Sequence, residues 1–471
     1  MLFNSVEFLI FFPIVCLLYF ILPHRFRHIL LPVSSLIFVA SRDPFAVVFL
    51  LLVTIITWGL GLCIDRVKSS ETGSPKVYLV TGLLAIFGLL VYLKYIPYIL
   101  SLLRLGRIEI ILPIGISFYT FSTATYLIDV YKGKCKPCPD FLKYAAYATF
   151  FPTILAGPIE RAANMLSQFE EKHTFDTDRA KDGLQLMLWG YFLKMVIVSR
   201  LTILTDYVYD DNNSFTGICV LIAILLYSLQ IYCDFAGYSY IAIGCAKICG
   251  FNVMRNFRQP YLAASVADFW RRWHISLSSW FRDYLYIPLG GNRKGTFRKY
   301  LNVMIVFAVS GIWHGANVTF LIWGLLNGAY QVVGANVKSL MKKLKLKDFP
   351  VWLSKIWTYL LISFTWVFFS APDLSSAVSR LERAFVPGSL RSFSPGMIFK
   401  MGLGVNNLIF VLAALVILVA ADVICEKKNC DIPGILVNTV WPVRLIVYWV
   451  LVTMILFSTN LSTQEFLYMN F

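Results

Sequence analysis

The chain has 471 residues, 58% of them hydrophobic and only 14% charged, with a mean hydropathy of +0.70. A soluble domain carries about 25% charged residues, so the composition excludes an ordinary water-soluble enzyme and predicts an all-α polytopic membrane protein. Lys and Arg number 42 against 26 Asp and Glu, a net charge of +16, and the excess is concentrated in a few connections.

A membrane-spanning helix needs about 20 apolar residues. Candidates in chain order are Phe8 to Leu22, Phe45 to Ile64, Val77 to Ile99, Leu184 to Leu204, Ile218 to Ile231, Val351 to Phe369, Asn407 to Cys425 and Val443 to Phe457. The first begins Met1-Leu2-Phe3-Asn4-Ser5, without a basic leader region or a small-residue cleavage site. It therefore reads as a retained span rather than a removable signal. With no long polar block, residues 1–471 read as a single membrane domain, its core at about 110–335.

Basic connections at His24 to His28, Arg66 to Lys76 and Arg179 to Lys181 alternate with basic-poor ones such as Asp210 to Ser214. By the positive-inside rule the basic ones are cytoplasmic, and the N-terminus is external. The largest cluster runs from Arg255 to Lys299, followed by Lys338 to Lys347. It serves either orientation and anionic-lipid contact or attraction of a polyanionic acyl donor. Phe141 to Ile159 is apolar but broken by Pro152, Gly157 and Pro158, so it is expected to be re-entrant. Phe235 to Phe251 is a second segment that invites an extra crossing.

Between Asp268 and Gly291 lies the densest polar chemistry. At helical spacing Phe269, Trp270, Trp273, Leu277, Trp280 and Phe281 make an aromatic face, while Arg271, His274, Ser278 and Arg282 follow one another at steps of three and four. This predicts an amphipathic helix that either lies in the interface or closes a channel mouth with His274 turned inward. Downstream, His314 interrupts the apolar run from about Tyr300 to Tyr330. An ionisable group at bilayer depth usually faces a cavity, and imidazole titrates near neutral pH; the alternative is a neutral ring bonded to a backbone carbonyl. A helix break is expected at Gly311, with His314 just beyond it near the bilayer centre.

Most of the ten cysteines lie in apolar runs and read as small hydrophobes. Cys135-Lys-Pro-Cys138 is the exception, but no second pair or neighbouring His completes a metal site, and no metal is expected. Past the Cys pair, Ala371 to Pro395 reads as an external polar segment in which Asp373 to Arg383 forms a short amphipathic helix.

The stretches Tyr232-Cys-Asp234-Phe-Ala-Gly-Tyr-Ser, Asn256-Phe-Arg-Gln-Pro-Tyr261, Asp268-Phe-Trp-Arg-Arg-Trp-His274, Arg282-Asp-Tyr-Leu-Tyr-Ile-Pro-Leu-Gly-Gly-Asn-Arg293 and Ser310-Gly-Ile-Trp-His314-Gly-Ala resemble the membrane-bound O-acyltransferase (MBOAT) family, in its alginate O-acetyltransferase branch. Leu112 to Tyr119 and Phe151 to Arg161 fit as well, so the resemblance covers essentially the whole chain. Two positions depart from the family pattern, Tyr240 where an acidic residue is expected and Ser122 where a Gln is.

The resemblance implies a bundle of roughly eleven transmembrane helices with re-entrant elements around a central tunnel, in the cytoplasmic membrane of a bacterium. It implies acetyl transfer from a cytoplasmic thioester, acetyl-CoA as co-substrate with no bound cofactor, to an exported cell-surface polysaccharide. An extracytoplasmic acetyltransferase partner of the SGNH hydrolase type is implied too, and no nucleic acid. His314 is carried over as the intramembrane catalytic histidine and general base. His274 is the second, there to stabilise the oxyanion or orient the thiol leaving group. Trp313, Ser278 and Asp234 are expected to support the tunnel, Asp234 as a tautomer-fixing or partner-binding group or as half of a structural ion pair. Arg271, Arg272 and Arg282 are expected to bind the donor. Rival readings are D-alanyl transfer to teichoic acid, peptidoglycan O-acetylation and, in a different class, a transporter or secretion scaffold.

Overall fold

The computed structural model describes residues 1–71, 73–105, 112–210, 212–387 and 394–459. Among the described residues, seven helices are long and apolar enough to cross a membrane: Pro44–Ser70, Pro75–Leu102, Thr177–Tyr209, Ile218–Cys249, Val318–Lys343, Val351–Ser370 and Val405–Lys428. Val6–Ile21 and Trp441–Leu456 are shorter apolar helices. Each of the eight spans expected from the sequence falls on one of these nine, and no strand occurs among the described residues.

The helix starts follow capping chemistry. The first N–H groups of a helix lack internal acceptors, and short polar side chains supply them. Asp43 Oδ1 accepts from Ala46 N at 3.0 Å ahead of Pro44–Ser70, with proline in the first turn. Asn317 Oδ1 accepts from Thr319 N at 3.2 Å ahead of Val318–Lys343. Asp373 does the same for Ser376 at the start of Leu374–Ala384, the short amphipathic helix expected there. Residues 388–393 of the segment expected to be external lie outside the described residues, as does Asp211 of the basic-poor connection.

The fold comprises two compact units. The first contains Met1–Leu188 and Tyr238–Arg255. In it, Phe141 to Ile159 is broken as expected into Phe141–Ala148 and the single turn Phe151–Ile154. Tyr144 hydroxyl is 2.7 Å from Thr57 Oγ1, which ties the broken segment to a span. Arg27, expected in a cytoplasmic connection, is buried in the helix His24–Ala40 and donates to His173 O at 2.6 Å. Phe235 to Phe251 makes no separate crossing, because Ile218–Cys249 is one helix of 32 residues.

The second unit contains Trp189–Gly237 and the described chain from Asn256 onward. Its centre is a hairpin of Gly295–His314 and Val318–Lys343. Here the expected break at Gly311 is corrected: the helix continues through Gly311 and ends at His314. Gly311 instead permits close approach, since a Cβ there would collide with the Phe320 carbonyl oxygen, and one on Gly324 with that of Phe307. The chain turns at Gly315–Asn317. Replacing Gly311 with Ala forces backbone against backbone and should cost about 1 to 3 kcal/mol, the usual penalty of overpacking. A clear fall in melting temperature in detergent checks this; an unchanged one would contradict it.

Candidate active site

His314 is the last residue of its helix and is buried. Its ring centroid lies 4.7 Å from that of Trp313, 5.0 Å from Trp323 and 5.2 Å from Phe369, the last two meeting it at 89° and 75°. Trp323 in turn stacks on Trp366 at 5.6 Å. Three successive helices therefore wall one imidazole with aromatic rings. Such rings exclude water and leave little to solvate charge, which strengthens polar interactions made inside.

His274 stands where the expected amphipathic helix breaks. The segment forms two short helices, Val266–Arg272 and Ile275–Phe281. Between them His274 has φ 44° and ψ 54°, the left-handed region, which costs a non-glycine residue on the order of 1 kcal/mol or more. The break corrects the single helix read from spacing, and the aromatic face packs inside the protein: Phe269, Trp273, Leu277, Trp280 and Phe281 are all buried.

Local hydrogen bonds hold that break. Ile275 N donates to Asn256 O and Arg258 N to Arg272 O, each at 2.9 Å. The Asn256 side chain adds three contacts through Oδ1, to His274 Nδ1 at 3.0 Å, to Ser276 Oγ at 3.0 Å and to Ser276 N at 3.4 Å. Phe235 meets the His274 ring edge-on at 4.5 Å, and Trp313 lies at 6.4 Å. His274 lies outside the membrane-spanning helices, and burial pushes its imidazole well below the usual histidine range. It is therefore neutral at physiological pH. The two histidines, 40 positions apart in sequence, thus both lie near the Trp313 ring in one unit.

The other expected site residues are placed differently. Ser278 Oγ donates to Trp273 O at 3.2 Å, a bond within its own turn. Arg271 is 73% exposed, and Arg282 is 64% exposed with Asp283 at 2.8 Å. Arg272 is held by Asp268 at 3.0 Å and Glu426 at 2.8 Å. Arg271 and Arg272 share Asp268, whereas Arg282 pairs with Asp283. Cys135 lies in a connection where burial pushes its thiol up to about 11, the opposite of an activated nucleophile. Among the described residues no cluster of His, Cys, Asp and Glu is arranged to hold a metal.

Asp234 forms a buried ion pair with Lys194, which the sequence reading did not single out. Lys194 sits in a π-helical stretch, Phe192–Val198, between α-helical segments. Hydropathy alone could not reveal it, because one lysine leaves an apolar window intact. Removing one member of a buried pair strands the other charge, at about 3 to 5 kcal/mol. Lys194→Met should therefore be strongly destabilised, and adding Asp234→Leu should recover most of the loss. Thermal unfolding in detergent checks this, and a double variant as unstable as the single one would contradict an ion-pair role.

The comparisons with known proteins bear on this geometry. The model of the MBOAT, membrane-bound O-acyltransferase family, matches residues 136–371, which include both histidines. The probable alginate O-acetylase AlgI of Pseudomonas aeruginosa is 36% identical over 443 residues, 88% of this chain and 81% of the relative. This chain belongs to the MBOAT family. It is a multi-pass membrane protein and an O-acyltransferase. The peptidoglycan O-acetyltransferase of Helicobacter pylori is 34% identical over 421 residues, 81% of this chain and 79% of the relative. The teichoic acid D-alanyltransferase of Bacillus subtilis is 28% identical over 262 residues, 53% of this chain and 64% of the relative.

Proposed function

We propose that this acyltransferase moves an acetyl group from a cytoplasmic thioester, acetyl-CoA, to an exported cell-surface polysaccharide. It would act in the bacterial cytoplasmic membrane with an extracytoplasmic SGNH-type acetyltransferase partner. The observation that carries the reading is the 36% identity to an alginate O-acetylase across 88% of the chain, joined to two buried imidazoles beside one tryptophan. Peptidoglycan O-acetylation is a second reading, favoured by the similarity to the Helicobacter pylori enzyme. Both transfer an acetyl group to a glycan hydroxyl outside the cell.

The chemistry asks for what the site contains. A hydroxyl is a weak nucleophile near neutral pH, and a base within hydrogen-bond reach contributes roughly 10² to 10⁴ in rate. His314 is assigned to take the hydroxyl proton. His274 is assigned to the thioester end, with Trp313 near both rings. Exposed Arg271 and Arg282 can attract the donor's phosphates to the surface, an effect that salt screens within about 10 Å at 0.1 M. Arg272, held by two carboxylates, contributes to the surroundings of the site.

The test uses sealed inside-out vesicles given radiolabelled acetyl-CoA on their exposed cytoplasmic face, with the partner and acceptor in the lumen. Wild type should deposit acetyl ester on the luminal acceptor. His314→Ala, with normal membrane insertion, should retain less than about a tenth of that transfer. Label confined to a cytoplasmic or lipid product would overturn the export reading, and full activity in His314→Ala would overturn the assignment of the base.

A further inference from the structure

Asn256 lies outside the helix of His314 and outside the two short helices that His274 joins, yet its side chain reaches the His274 ring. Its Oδ1 lies 3.4 Å from the backbone N of Ser276, a group that can only donate. The carboxamide must therefore turn its oxygen, not its nitrogen, toward the start of the Ile275–Phe281 helix. The Ser276 hydroxyl, 3.0 Å away, donates to the same oxygen. His274 Nδ1 is 3.0 Å from it as well. A carboxamide oxygen only accepts, so Nδ1 carries the proton. A neutral imidazole has one N–H, and with that proton on Nδ1 the lone pair is on Nε2.

Burial keeps the ring neutral. Phe235, Trp313 and Asn256 face the ring. Asp234, next in sequence to Phe235, is engaged by Lys194.

We infer that Asn256 is a positioning residue that locks His274 in its Nδ1-protonated tautomer, so that Nε2 enters the reaction as a proton acceptor and not as a donor to the acyl oxygen. The inference rests on the acyltransferase reading for its chemistry. During transfer the hydroxyl oxygen bonds to the acyl carbon and gives up its proton to His314, and the carbon–sulfur bond breaks. That proton must finish on the sulfur. Nε2 of His274 can receive it on the way and release it to the thiolate, so that both imidazoles end neutral and Nδ1 still donates to Asn256. Of the two tasks open to His274, the tautomer closes the oxyanion one and leaves the leaving-group one.

The left-handed backbone at His274 fits this role. At φ 44°, with the neighbouring Ile275 N–H bonded to Asn256 O and its own Nδ1 to Asn256 Oδ1, His274 has its ring direction set by that contact.

Two measurements test the inference. In protein labelled with ¹⁵N-histidine and reconstituted in lipid, the His274 resonances are identified by their loss in His274→Gln. Wild type should show a protonated Nδ1 and an unprotonated Nε2 at neutral pH, and Asn256→Leu should lose that pattern. A wild-type ring with its proton on Nε2, or an imidazolium, would overturn the inference. This spectrum stands whether or not acetyl transfer is detected, so its failure is distinguishable from failure of the functional reading.

The second is kinetic. Asn256→Leu should lower kcat by about 10² with little change in the donor KM. Asn256→Asp keeps the acceptor oxygen but places a carboxylate beside the ring, which favours the imidazolium and raises its pKa. The neutral acceptor form is then lost at a higher pH, so the acid limb of the kcat profile should move upward by about one unit or more. A merely structural Asn256 would leave both the tautomer and the pH profile of its folded variants unchanged, and that result would overturn the inference.

Discussion

The close backbone approach in the helical hairpin is the constraint from which the site follows. Where Gly311 lies against the Phe320 carbonyl and Gly324 against that of Phe307, two helices pack with no side chain between them. That fixes how Gly295–His314 and Val318–Lys343 run past one another and places Trp323 beside the His314 ring. Small residues at such contacts are a general device in membranes, where packing replaces a hydrophobic driving force between helices. The turn at Gly315 then ends the helix with an imidazole at its last position.

The second histidine is positioned by the opposite means. No helix carries His274; a break in helical structure does, and the break is held by hydrogen bonds with the irregular segment around Asn256. One imidazole therefore depends on apolar packing and the other on a polar lock. The two supports fail differently, the first with overpacking at glycine and the second with loss of an acceptor. Strain at a functional residue persists only when the surroundings over-determine it, and three contacts to one carboxamide oxygen meet that requirement.

Much of this fold was legible in the sequence because spans announce themselves by apolar length. The interruption at Pro152, Gly157 and Pro158 and the helix beginning after Asp373 were legible because prolines and caps act locally. The misread elements share a cause. Gly311 looks like a breaker in one dimension, while its purpose is visible only against a second helix. The run from Asp268 to Phe281 has helical spacing throughout, and nothing in the pattern marks His274 as left-handed. The Lys194–Asp234 pair and the Asn256 contact join residues 40 and 18 positions apart, and such pairings follow from tertiary structure alone. Both histidines were singled out by residue type and context and Trp313 through the family resemblance, and the fold brings these three together, while it leaves Arg271, Arg282 and Ser278 to other contacts.

The central claim is that the acyl group is handled between His274 and His314, against the Trp313 ring. The most direct measurement is a structure of the protein in lipid with a thioether analogue of acetyl-CoA, which cannot transfer its acyl group. The account predicts the analogue's acyl end beside Trp313 with its sulfur toward His274 Nε2. An acyl end seated away from both imidazoles, for instance beside the Lys194–Asp234 pair, would contradict it.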